Sequence, residues 1–202
     1  MALTQINQTF ELREILLKNR PNSLYKISSK ATVPVLHNID GKIIDESIDI
    51  MKWALTNVSD IYKIDKQLSM IKLIDKDFKF WLDKYKYYER FPEESQYYYR
   101  EKAGEILISI EQSLNNNSYI LGSNFQLVDI AIFPLIRQFI NVDTDWFEES
   151  FNNIYKWYKN INESSIFNSV MKKYEIWEEG KKPLLINFFE LDNTEKLILQ
   201  TP

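Results

Sequence analysis

Apolar and polar positions alternate in strand fashion only near the start of the chain. Phe10, Leu12, Ile15 and Leu17 predict a strand over Phe10–Leu17, although the alternation slips at Glu14–Ile15. Asn19-Arg20-Pro21-Asn22-Ser23 interrupts it, and Pro21 suits the first turn of a short helix over Asn22–Ile27. Ser28-Ser29-Lys30 reads as a loop. Two apolar runs, Val33-Pro34-Val35-Leu36 and Lys42-Ile43-Ile44, flank Asn38-Ile39-Asp40-Gly41, and Asp-Gly between such runs predicts a hairpin. Ile48, Met51, Trp53, Ala54 and Leu55 then predict a helix over Glu46–Thr56, with acid in its first turn as the dipole favours.

From about Ile64 the periodicity is helical throughout. Helices are predicted over Ile71–Glu89, Glu93–Leu114, Leu127–Phe139, Phe147–Ile161 and Ser165–Lys173. Asn115–Ser118 and Leu121–Asn124 read as loops, and Gly180 and Pro183 stop the last helical stretch. The expected organisation is an α/β part over residues 1–57, a linker over 58–65, an all-helical part over 66–180 and a tail over 181–202. The tail carries one apolar patch, Leu184–Phe189.

Composition narrows the function. Lys plus Arg is 25 against 29 Asp plus Glu, a net charge of −4. No basic field is available for phosphate backbones, so nucleic acid is not an expected partner. No apolar run reaches the roughly 18–20 residues that cross a bilayer, and no charged-then-apolar leader opens the chain, so a cytoplasmic protein is expected. With Cys 0 and His 1 (His37), the chain supplies no thiolate zinc site, cysteine nucleophile or two-histidine metal site, and no metal is expected. Gly41, Gly104, Gly122 and Gly180 lie too far apart for a Walker A or GxGxxG loop. Aromatic residues at 14% read as a large core or a subunit interface.

Several of these pieces together resemble the glutathione S-transferase family, in particular omega-like and related bacterial members. Val33-Pro34-Val35-Leu36, Asp40-Gly41 and Asp45-Glu46-Ser47 look like the second half of that family's thioredoxin-like domain. Leu17–Pro21 is similar to the loop after its second strand. Tyr119–Gly122 and Phe125–Pro134 resemble the signature of its helical domain. The resemblance runs from Met1 to about Trp177. It implies a thioredoxin-like glutathione-binding domain, N-terminally truncated, followed by the all-helical glutathione transferase domain. It implies glutathione as cosubstrate, a small hydrophobic or disulfide second substrate, and a homodimer.

The resemblance also implies site residues. The proline matching Pro34 is cis in the family, and it aims the backbone of the preceding residue, here Val33, at the ligand like an added strand. A trans proline entering an edge strand is the alternative. Glu46 and Ser47 stand where a strand feeds a helix. Free N–H groups and partial positive charge there suit a carboxylate, and Glu46 can meet an ammonium. The γ-glutamyl end of glutathione carries both groups on one carbon. Ordinary capping by Asp45 or Ser47 is the alternative. Arg20 matches a basic residue that reaches the glycine carboxylate, and Lys18 and Lys30 are weaker candidates of that kind. Asp129 matches the family's helix-capping Asp. Its usual Ser or Thr partner is replaced by Gln126, a poor cap, which leaves Asn124 as a substitute. The tyrosines at 85, 87, 88 and 97–99 match a region that faces the second-substrate site in the family, and most of them are expected in core and dimer packing instead.

The start of the chain departs from the family. A parallel crossover needs about a dozen residues or more, and only nine precede Phe10. Met1–Ile6 resembles the end of the family's first helix. The first strand, which lies between the second and third, and most of that helix are therefore expected to be missing. So is the activating Cys, Ser or Tyr, and no catalytic residue is assigned. Phe10–Leu17 would lose its ladder partner. The expected reading is that translation starts further upstream and that the full-length form is an enzyme. It would be a glutathione transferase that conjugates glutathione or transfers its thiol to a small electrophile or disulfide. The alternatives are a non-catalytic transferase-like binding module and a helical adaptor without a small ligand.

Overall fold

The structure, a computed structural model, describes residues 1–56 and 64–190. These residues form two compact units, 1–56 with 164–190 and 64–163.

The chain opens with a short 3-10 turn, Ala2–Gln5, which packs on α2 (Ser47–Thr56). Between them lie β1 (Thr9–Glu11), α1 (Asn22–Ile27), β2 (Leu36–His37) and β3 (Ile43–Ile44). α1 starts directly after Pro21, whose extended backbone and lack of an N–H suit a helix entry. β2 and β3 pair antiparallel, Leu36 with Ile44 and His37 with Ile43. Gly41, at φ 81°, closes that hairpin in a conformation that a side chain would oppose. Ile50 and Ala54 bury one face of α2.

The second unit begins with α3 (Ile64–Leu73), which runs through a π turn, Ile74–Phe78, into α4 (Lys79–Lys86). The expected linker at 58–65 lies mostly outside the described residues, and Ile64 and Asp65 already belong to α3. α5 (Gln96–Leu114) starts at Ser95, whose hydroxyl accepts the Tyr98 N–H. α6 (Leu127–Ile140) is the buried centre, with Val128, Phe133 and Ile136 fully enclosed. The single helix predicted over Phe147–Ile161 is two, α7 (Thr144–Ser150) and α8 (Asn152–Asn162). Asp143 caps α7 through the Trp146 N–H. The Glu111 carboxylate on α5 accepts the N–H groups of Asn153 and Ile154, 2.9 Å each, and so caps α8 from another element. Phe139 sits in a cluster of rings from Phe78, Tyr85, Trp146 and Phe147. Tyr85 and Tyr99 are core residues, whereas Tyr87, Tyr88, Tyr97 and Tyr98 are exposed.

After α8 the chain rejoins the first unit through α9 (Ser165–Val170) and β4 (Leu185–Asn187). β4 corrects the expectation that β1 is left without a ladder. The tail folds back antiparallel on it, pairing Thr9 with Asn187, Phe10 with Ile186 and Glu11 with Leu185. Ile186 is buried, and the Phe10 and Phe188 rings stand 6.3 Å apart. β1 is shorter than the predicted Phe10–Leu17. Where the alternation slips, Glu14 makes a lone parallel bridge to Ile176 and the chain then turns at Leu16–Asn19.

Candidate functional site

β3 delivers Asp45, Glu46 and Ser47 to the head of α2. Ile44 is buried and anchors the strand, so the next residues emerge at the surface. The Glu46 carbonyl accepts the N–H groups of Asp49 and Ile50, both at 3.0 Å, which makes Glu46 the residue that opens the helix. Neither Asp45 nor Ser47 caps it among the described residues. Asp45 instead accepts the Ser28 hydroxyl at 3.0 Å. The N–H groups of Ser47 and Ile48 and the Ser47 hydroxyl have no partner among the described residues, leaving donors at the positive end of α2.

Lys30 reaches this corner. Its ammonium hydrogen-bonds Glu46 Oε1 and lies 3.9 Å from Asp45 Oδ1. The hydrogen bond to Glu46 and the neighbouring charge of Asp45 raise the Lys30 pKa above its ordinary value. The loop that carries Lys30 is held firmly. Ala31 is buried in the left-handed region at φ 46°, and its N–H closes a turn onto the Ser28 carbonyl. Such a conformation costs a residue with a Cβ about 1–2 kcal/mol, which the surrounding contacts must offset.

Two residues further on, the Val33–Pro34 peptide is cis. Val33 is exposed, and its N–H and C=O have no partner among the described residues. Val33 and Pro34 line a cavity of about 1030 Å³ within the first unit. Phe10, Leu36, Ile50 and Trp53 also line it, giving a mostly apolar wall. Thr9 and Glu11 of β1 and His37 of β2 lie on the same wall. Leu12 donates to Leu184, and antiparallel alternation then turns the backbone groups of Thr9 and Glu11 away from β4.

The residues predicted for the site therefore fall into three places. Val33 and Pro34 lie on the cavity, Glu46 and Ser47 lie at the head of α2, and Arg20 is exposed on the loop before α1 without an ion pair among the described residues. The sequence reading missed the tie from Lys30 to Glu46. It offered Lys30 as a weaker candidate for the glycine carboxylate, whereas the turn at Ala31 brings Lys30 onto a carboxylate sixteen positions away. The Thr4 hydroxyl is buried and donates to the Met1 carbonyl at 2.7 Å. No group of three or more His, Cys, Asp or Glu arranged for a metal occurs among the described residues.

Solved structures with the same fold include BphK, a bacterial glutathione transferase described in a ternary complex. It has TM-score 0.67 and 15% identity, over 84% of this chain and 90% of that one. A glutathione transferase from Burkholderia graminis, with two glutathione molecules bound per subunit, has TM-score 0.55 and 16% identity, over 69% of this chain and 66% of that one. Gtt2 from Saccharomyces cerevisiae has TM-score 0.51 and 18% identity, over 75% and 80%. No curated protein matches the sequence. Two domain families do match, in order along the chain. The glutathione S-transferase N-terminal domain covers residues 1–60 and the C-terminal domain covers residues 70–165. A small thioredoxin-like part with its sheet strands precedes a helical part, as both matches require, and on this evidence the chain belongs to the glutathione S-transferase family.

Proposed function

We infer that the chain binds glutathione as a cosubstrate and passes its thiol to a small hydrophobic electrophile or a disulfide. The observation that carries this reading is the head of α2. There an exposed Glu46 carboxylate stands beside the free donors of Ser47 and Ile48, in the same unit as the unpaired backbone of Val33. The γ-glutamyl ammonium goes to Glu46, and its α-carboxylate goes to the Ser47 hydroxyl and the helix N–H groups. The cysteinyl backbone pairs with Val33, fixed in place by Pro34, and Arg20 takes the glycine carboxylate. The glutathione complex of the Burkholderia graminis transferase supports the ligand class. In conjugation the glutathione sulfur, as thiolate, attacks an electrophilic carbon and the leaving group departs with its electron pair. In exchange it attacks one sulfur of a disulfide, forming a mixed disulfide and releasing the other sulfur as a thiolate that takes a proton from solvent. No metal enters either step.

A second reading is a glutathione-binding module without turnover. The commitment of the Thr4 hydroxyl to the Met1 carbonyl favours it. A cytoplasmic location and a homodimer belong to both readings, and the exposed rings of Phe80, Tyr97 and Tyr98 support the homodimer.

Retention on immobilised glutathione and elution by the free tripeptide test the binding. Turnover of a chromogenic electrophile or a mixed disulfide by the retained protein then supports the first reading. Retention without turnover supports the second, and no retention overturns both.

A further inference from the structure

Resting on that glutathione reading, we propose that Lys30 is an exchangeable internal counter-ion, held on Glu46 while the site is empty and transferred to Asp45 when a ligand ammonium takes Glu46. The two carboxylates are adjacent in sequence and unequal in setting. Asp45 is half-buried and pinned by the Ser28 hydroxyl at 3.0 Å, whereas Glu46 is exposed at the head of α2. The Lys30 ammonium is hydrogen-bonded to Glu46 and stands 3.9 Å from Asp45, an ion-pair distance that a shift of about one ångström turns into a hydrogen bond.

The backbone that carries Lys30 cannot supply that shift, because Ala31 is buried and its N–H is locked to Ser28. The four-carbon stem can. Moving Lys30 gives each carboxylate its own cation once the ligand is bound. Before binding, Glu46 is neutralised by Lys30. Afterwards Glu46 holds the ligand ammonium, Asp45 holds Lys30, and the ligand carboxylate meets the N–H groups of Ser47 and Ile48. Without Asp45 the displaced ammonium has nowhere to go, and it competes with the ligand for one carboxylate. Lys30 thereby screens the site, since a ligand lacking an ammonium cannot displace it.

The test is titration calorimetry of glutathione against the full chain and three variants, Lys30→Met, Asp45→Asn and the double variant. Methionine keeps most of the apolar stem and removes the charge. Partly exposed ion pairs of this kind shift binding by about two- to five-fold. The expected pattern has Lys30→Met binding about two- to five-fold tighter and Asp45→Asn weaker by a similar factor. In the double variant the Asp45→Asn effect disappears. Measurable binding with Lys30→Met unchanged or weaker overturns the exchange. So does an Asp45→Asn effect of equal size in both backgrounds, which reports a general loss of structure at the corner. Absence of binding in all four proteins overturns the glutathione reading itself and the exchange with it.

Discussion

Gln67, fully buried on α3, accepts the backbone N–H of Val128 in the first turn of α6 through its Oε1, at 2.9 Å. Its amide nitrogen, Nε2, donates to Gln126 Oε1 at 3.0 Å. The weak cap expected at Gln126 is thus made good from a neighbouring helix and not by Asn124. Gln67→Ala should strand a buried donor and open a small void. A loss of about 2 kcal/mol is expected, read as a lower urea midpoint with an unchanged slope.

Asp129 completes the same joint. Its carboxylate is fully buried and accepts the N–H groups of Ile120 and Gln126, each at 3.0 Å, and the indole N–H of Trp157 at 2.9 Å. Asp129→Ala leaves these donors unpaired, and a loss of roughly 3–5 kcal/mol is expected. Burial raises the carboxyl pKa above its ordinary value, with the three donors opposing the rise. A raised folded pKa means that the native state holds the proton more tightly. The resulting stability is present at low pH and is lost as pH rises through the folded value. The gap between wild type and Asp129→Asn should therefore narrow as the pH is raised through that range, measured by denaturation at a series of pH values.

β4 supplies a ladder that β1 cannot obtain from its sequence neighbours. Ile186→Ala removes a buried side chain and should cost about 2–4 kcal/mol. Amide exchange should report the same dependence. The Leu12 N–H, which donates to the Leu184 carbonyl at 2.8 Å, should lose protection in a chain ended at Pro183.

Much of the local structure was legible because its causes are local. Pro21 sets the start of α1, Asp40-Gly41 sets the hairpin, and the apolar spacing after Glu46 sets the existence of α2, although of the stripe Ile48, Met51, Trp53, Ala54 and Leu55 only Ala54 is buried, with Ile50 beside it. The features that were not legible join distant positions. Nothing in the apolar patch at Leu184–Phe189 says that it pairs with Thr9–Glu11, because alternation fixes a face and not a partner. The break at Phe151 escapes a periodicity reading because apolar spacing continues across it, while Glu111 caps the new helix from α5. At the site, Glu46 and Ser47 were readable from a strand meeting a helix. The hold of Lys30 on Glu46 was not, since it depends on the left-handed turn at Ala31.

The central claim, that the head of α2 and the Val33 backbone bind a γ-glutamyl tripeptide, is tested most directly by amide chemical-shift mapping during titration with glutathione. The account predicts saturable shifts centred on the amides of Val33, Glu46, Ser47 and Ile48, abolished together in a Glu46→Gln, Ser47→Ala variant that stays folded. Saturable shifts confined to other residues, or none at millimolar glutathione, would contradict it.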